Sequence, residues 1–232
     1  MIKATRGNTV ETICGRIIQE LKGGKWRSGD RLVAHTLANN YHVSRTPVRE
    51  ALIRLEKEGY VTGTANAGFE PRTPSLEELC ELYELRELLE GFAVEKLTEN
   101  GISPELLEEL RRLARQRCVL QAKADYDAAG EADQAFHQLI CDSCHSSLIQ
   151  KVLRNYLELS VIFKANSFFY FLQRRPLNDG SEHDAIDDAH DAMIEAMAAG
   201  KSKLAKKLMV QHIQDARKVF EKELSRQRKN EK

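Results

Sequence analysis

Apolar residues in this chain recur at helical spacing far more often than they alternate. Val10, Ile13, Ile17, Ile18 and Leu21 line one side of a first predicted helix, which Gly23-Gly24 ends and Gly29-Asp30 follows as a turn. A short helix over residues 35–40 keeps Leu37 and Ala38 inward, and Tyr41-His42-Val43 is the turn after it. In the third helix Val48, Ala51, Leu52 and Leu55 form an apolar face behind Ser44 as N-cap. Pro47 falls in its first turn, where no helical N–H is lost. Two helices joined in this way make a helix-turn-helix. Strand pattern comes next: a run at residues 60–64, a turn at 65–68 carrying Asn66 and Gly68, and a return over 69–72, which together add a wing.

Pro71, Thr73 and Pro74 break the pattern, so the expected domains are residues 1–74 and 75–232, with Ser75 capping the first helix of the second domain. From there the chain reads as about six helices, interrupted at residues 100–104, 124–126, 144–147, 173–180 and Gly200. The first of them carries Leu76, Leu79, Leu82, Tyr83, Leu85, Leu88, Leu89 and Phe92, a stripe wide enough for contact on more than one side. Residues 148–171, with Leu153, Leu157, Ile162, Phe163 and the aromatic run Phe168 to Phe171, are expected at the centre of the bundle. The expected fold class is mainly α: an N-terminal winged helix-turn-helix plus a C-terminal antiparallel α-helical bundle.

Charge divides the two halves. The whole chain is neutral, yet residues 1–74 hold 12 Lys+Arg against 7 Asp+Glu, a net of +5, leaving 23 against 28, or −5, for the remainder. Arg45, Thr46 and Arg49 occupy the polar N-terminal end of the third helix, the part of a recognition helix that meets base edges and phosphates. Duplex DNA is therefore the expected partner, held with a steep salt dependence.

With 42% hydrophobic and 30% charged residues, the balance is that of an ordinary soluble protein. No stretch approaches the roughly 20 apolar residues of a membrane span, and the first residues hold no apolar signal core, so a cytoplasmic location without membrane contact is expected. Five cysteines point to reduced thiols. Cys141-Asp142-Ser143-Cys144-His145 spells the attachment pattern of a c-type haem, but it ends a helix in a chain without an export signal, which favours inert thiols.

The chemistry-bearing residues of the second half are Asp133, His137, His190 and His212. Asp133 and His137 lie one helical turn apart on a common face, and His190 and His212 fall on two later helices with clear apolar stripes. Three imidazoles and a carboxylate suit Zn or Ni, with Mn or Fe also compatible. No single pair is diagnostic, and separate core or surface histidines are the plainer reading of these residues alone.

Two resemblances sharpen this. Gly29, Leu32, Leu37-Ala38, the run Val43 to Leu52 (VSRTPVREAL), Arg54 to Gly59 (RLEKEG) and Gly68 resemble the GntR regulators, bacterial winged helix-turn-helix transcription factors. The resemblance implies DNA contact by Arg45, Thr46 and Arg49, and at Gly68 a wing backbone that approaches the minor groove. Val33-Ala34 depart from the family's usual acidic residue, and His35 stands where relatives often place a DNA-touching Arg. Residues 76–222 resemble the FCD ligand-binding domain of the FadR branch. Its metal-binding members carry Asp-x-x-x-His and two later histidines, which correspond here to Asp133, His137, His190 and His212, with His183 in reserve. Arg86 falls where members place an inward Arg near the metal, which implies a small organic acid as effector. A surface ion pair with Glu90 at i+4 is the alternative for Arg86.

The resulting expectation is a homodimeric transcription regulator, a repressor on a palindromic operator, with a divalent metal and a carboxylate effector in its helical domain. The alternatives are a metal-dependent hydrolase using the same four residues, a structural metal, and a ligand-free dimerisation module.

Overall fold

The computed structural model describes residues 6–64, 68–166 and 184–230. The chain divides into two compact units: one contains the residues up to Pro74 together with the end of a later helix from Glu158, the other Ser75–Leu157 and the later helices.

In the first unit α1 (Arg6–Lys22), α2 (Ala34–Tyr41) and α3 (Arg45–Lys57) precede a two-stranded antiparallel sheet, β1 (Val61–Thr64) and β2 (Gly68–Pro71), in which Val61 pairs with Pro71 and Thr64 with Gly68. The periodic apolar positions converge as the pattern requires: Ile13, Ile17 and Leu21 of α1, Leu37 of α2, and Val48, Leu52 and Leu55 of α3 are all buried. Each such side chain contributes about 1.5–3 kcal/mol on burial. Glu20 ties α1 to its neighbours, accepting from Tyr41 Oη at 2.7 Å and from Trp26 Nε1 and Lys25 Nζ at 2.8 Å.

The Tyr41 bond corrects one sequence expectation. Tyr41 is not part of a turn but the buried last residue of α2, held inward by its phenol, and the chain reverses one residue later at His42 in the left-handed region (φ 55°). Ser44 takes the N-cap position of α3, but its hydroxyl makes no cap bond. The turn at 65–67, with Asn66, lies outside the described residues, and Gly68 belongs to β2 rather than to the turn. Leu32 joins the sheet edge, exchanging backbone hydrogen bonds with Phe69 at 2.7 and 3.1 Å. At Gly68 φ is +92°, and a Cβ there would lie 3.0 Å from the Leu32 carbonyl oxygen, so this pairing itself demands glycine.

The second unit contains α4 (Leu76–Glu99), α5 (Pro104–Ala122), α6 (Tyr126–Ser143), the first part of α7 (Ser147–Asn166), α8 (Asp184–Ala198) and α9 (Ser202–Asn230). Ser75 and Glu78 form a reciprocal capping box at the start of α4, Ser103 caps α5 ahead of Pro104, and Asp125 caps α6. α4 and α9 run antiparallel along each other, as the successive contacts Tyr83 with Phe220, Glu84 with Arg217, Gln214 with Glu87 and Lys206 with Glu95 show. Gly91 permits this approach, since a Cβ there would meet Val210 Cγ2 at 2.9 Å.

The described part of residues 148–171, up to Asn166, does not form the centre of the bundle. Leu148 and Val152 near the start of α7 are exposed, and from Glu158 onward the helix belongs to the first unit, where Tyr60 Oη donates to Glu158 Oε2 at 2.9 Å and Arg72 lies over the Phe163 ring. The buried side of α7, Leu153, Leu157, Ile162 and Phe163, is thus divided between two cores, and the run Phe168 to Phe171 lies outside the described residues. Among the described residues no helix is long and apolar enough to cross a membrane.

Candidate functional site

Three helices of the second unit bring the predicted ligand residues to one point. Asp133 and His137 project from one face of α6, His190 comes from α8 and His212 from α9, and their potential ligand atoms all lie within 4.8 Å of one another. All three imidazoles are buried, while the Asp133 side chain keeps 25% exposure and forms the open edge of the cluster. His137 Nε2 lies 3.3 Å from His212 Nε2, and His190 Nε2 lies 3.4 Å from Asp133 Oδ1. Metal bonds of about 2.1 Å place neighbouring tetrahedral ligand atoms about 3.4 Å apart, so these spacings suit an ion.

The polar accounting points the same way. Among the described residues His190 Nε2, the ring nitrogen that faces the cluster, makes no hydrogen bond, although the ring is buried. Such atoms are costly to bury unless something else satisfies them. Burial pushes the pKa of His190 down despite the Asp133 charge, and it pushes that of His212 well down, with His190 and His137 adding to the effect. Both imidazoles thus favour the neutral form that binds metal. Burial opposes ionisation of Asp133, but His190 beside it and the fields of His137 and His212 outweigh this and hold the carboxyl well below its usual range.

Behind the cluster lies a buried ionic chain. Glu90 of α4 accepts a short hydrogen bond from His137 Nδ1, and its other oxygen accepts from Arg86 Nε at 2.6 Å. Burial opposes the Glu90 charge, yet Arg86 and His137 hold its pKa down at about 2. With Nδ1 the donor, Nε2 of His137 carries the lone pair that faces the cluster; this is the carboxylate–histidine support found behind many metal ligands. Arg117 of α5 reaches Asp133 Oδ1 at 3.2 Å from the other side.

In the first unit Arg45, Thr46 and Arg49 share the exposed face of α3, while Pro47 and Val48 between them are buried. Neither Arg45 nor Arg49 has an ion-pair partner among the described residues, so both guanidinium groups are available to an external anion. His35 stands exposed in the first turn of α2, with Nε2 3.5 Å from Asn39 Nδ2. Gly68 is pressed against Leu32 at the base of the wing.

Comparison with known proteins names these two units. Residues 9–70 match the model of the bacterial regulatory proteins of the gntR family, and residues 81–215 match the FCD domain, more than half of the chain. The gluconate operon transcriptional repressor of Bacillus subtilis is 31% identical over 195 residues, covering 78% of this chain and 74% of its own. The chain belongs to the GntR family of transcriptional regulators. It is thus a DNA-binding regulator with an FCD domain, and the family and its relatives are regulators rather than enzymes. The Nta operon transcriptional regulator of Aminobacter aminovorans is 35% identical over 136 residues, a stretch spanning 57% of this chain and 62% of that relative. Among solved structures, E. coli McbR/YncC shares the fold with a TM-score of 0.75 at 19% identity, covering 93% of this chain and 98% of its own.

Within this GntR-family chain the surface ion pair expected as the alternative for Arg86 is corrected. Arg86 is paired with Glu90, but the pair is buried beside the cluster rather than solvated on the surface. Glu90 and Arg117 were not anticipated. A signal for Glu90 was present: the buried stripe of α4 passes through Leu79, Tyr83, Arg86, Glu90, Val94 and Leu97, so the periodicity itself runs through a charged pair. His183 lies outside the described residues. Cys141 and Cys144 are fully buried, and burial pushes the Cys141 thiol up to about 12, as suits inert sulfur.

Proposed function

We propose that this protein is a homodimeric repressor whose grip on a palindromic operator is governed by a small carboxylate bound beside a divalent metal in its FCD domain. The convergence of four ligand atoms, with a buried His190 Nε2 that makes no hydrogen bond, carries the metal half of this reading. Asp133, His137, His190 and His212 would hold the ion, with Zn or Ni first and Mn or Fe compatible. The ion would supply a Lewis-acid anchor for an anionic oxygen. Arg86 spends its Nε on Glu90, and its remaining guanidinium N–H groups are the candidates for the second carboxylate contact. A relative named for the gluconate operon supports a carboxylate as the effector class.

On the DNA side, Arg45, Thr46 and Arg49 would enter the major groove, with His35 and the wing residue Gly68 flanking them. One short helix reads only a few base pairs, so two copies related by a two-fold axis are needed for a specific operator. The effector can act only through unequal affinity for the two arrangements of the dimer.

Calorimetric titration of Zn²⁺ into chelator-treated protein tests the metal half. One equivalent per chain is expected, with stabilisation approaching ~2.7 kcal/mol when free ion exceeds the dissociation constant a hundredfold. Absence of uptake for Zn²⁺, Ni²⁺, Mn²⁺ and Fe²⁺ alike would contradict it.

A further inference from the structure

Among the described residues β1 pairs with β2 alone, so its outer edge is left open by the sheet, and a side chain of α3 covers it. Phe69 of β2 spends both its backbone groups on Leu32, donating to it and accepting from it, and so turns them away from β1. Its register partner on β1 is Gly63. Opposed residues of an antiparallel pair point their backbone groups either both inward or both outward, so the Gly63 N–H faces out from the open side of β1. Glu56 Oε1 accepts from it at 2.8 Å.

The seat is shaped for that carboxylate. Gly63 is not among the glycines with positive φ, so the backbone itself does not require glycine there. A Cβ at residue 63 would lie 2.5 Å from Glu56 Oε1 and would drive the carboxylate off. Electrostatics, by contrast, does not favour an acid at residue 56. It stands in the last turn of α3, where the partial negative charge of the helix end opposes a carboxylate, and it adds negative charge to the unit that meets a polyanion. What Glu56 contributes is its bond to the wing.

We infer that Glu56 is a positioning residue for DNA binding: it ties the wing to α3 and so fixes the angle at which the hairpin meets the duplex while Arg45, Thr46 and Arg49 occupy the major groove. The inference rests on the place of α3 and the wing in the functional reading above. A two-stranded hairpin has little stability of its own. This one is held along both edges, by Leu32 against β2 and by Glu56 against β1. With one edge released the hairpin is freer in the unbound protein, and binding must then order it.

The sign of a charge-removal effect tests this on the full chain. Removing a carboxylate near DNA strengthens binding by itself. Glu56→Ala is nevertheless expected to weaken binding to a duplex selected from a random pool by about tenfold. Glu56→Gln loses the same charge but keeps an acceptor oxygen, and it should bind at least as tightly as wild type. Glu56 is exposed, so neither change disturbs a core. Gly63→Ala should reproduce the Glu56→Ala loss, and the two together should lose no more than either alone. Exchange of the Gly63 amide hydrogen in the free proteins should be slow in wild type and Glu56→Gln and fast in Glu56→Ala. Binding by Glu56→Ala as tight as wild type, or losses from Glu56→Ala and Gly63→Ala that add, would overturn the inference. Hydroxyl-radical footprinting of the wild-type complex tells that failure from failure of the wing reading: no protection in the minor groove beside the major-groove contact would remove the wing from the interface, and this role of Glu56 with it.

Discussion

Replacing Arg45 and Arg49 together by Ala is expected to weaken operator binding at least about a hundredfold while shifting stability by no more than about 0.5 kcal/mol. The two effects separate because of where the side chains sit. Both project from the exposed face of α3 and have no ion-pair partner among the described residues, so their removal breaks no ion pair among those residues. The fold of α3 depends instead on Val48, Ala51, Leu52 and Leu55, all fully buried. A good bidentate Arg interaction with a base contributes about 1–3 kcal/mol, and the proposed homodimer would forfeit each one twice. Binding measured across a salt series should also show a shallower dependence, by about 0.9 for each phosphate no longer neutralised. A variant that binds a duplex selected from a random pool as tightly as wild type would remove α3 from the interface.

Glu90→Gln is expected to weaken metal binding by about 10- to 100-fold, although Glu90 is not itself one of the four ligands. The carboxylate fixes His137 with Nδ1 as donor and Nε2 facing the cluster, and an amide in its place no longer selects that tautomer. Gln keeps an oxygen for Arg86, so the shape is preserved while the charge is lost. Breaking a buried ion pair generally costs about 3–5 kcal/mol when one partner is simply removed, which makes the near-isosteric change the appropriate one. Competition with a calibrated chelator reads the affinity, and ¹⁵N shifts of the His137 ring in the metal-free protein read the tautomer. If both are unchanged while the variant remains folded, Glu90 serves only to neutralise Arg86.

How far the sequence discloses the structure depends on the range of the forces involved. The helix-turn-helix was legible because α3 alone carries its apolar period, its terminal proline and its exposed arginines within a few turns. The clustering of Asp133, His137, His190 and His212 was reached through spacing matched to a family, since the residues stand on three helices and no local pattern joins them. Glu90 escaped because a Glu four positions after an Arg on a helix looks like a solvated ion pair; only the packing of His137, 47 residues away, makes it a support for the site. Tyr41 was misplaced for the same reason, since its anchor Glu20 lies 21 residues earlier on another helix. The course of α7 was misread because apolar content does not distinguish one long core segment from a helix shared between two cores.

The coupling of acid, ion and operator is read in one experiment by fluorescence anisotropy of the selected operator duplex, titrated with gluconate and a panel of other small carboxylates, with and without the bound ion. At least one of these acids is expected to release the metal-loaded protein from DNA, and the same acid should have no effect after the metal is stripped or in an Asp133→Ala variant. Release of equal extent with and without metal, or no release by any acid from the loaded protein, would contradict metal-dependent control of DNA binding.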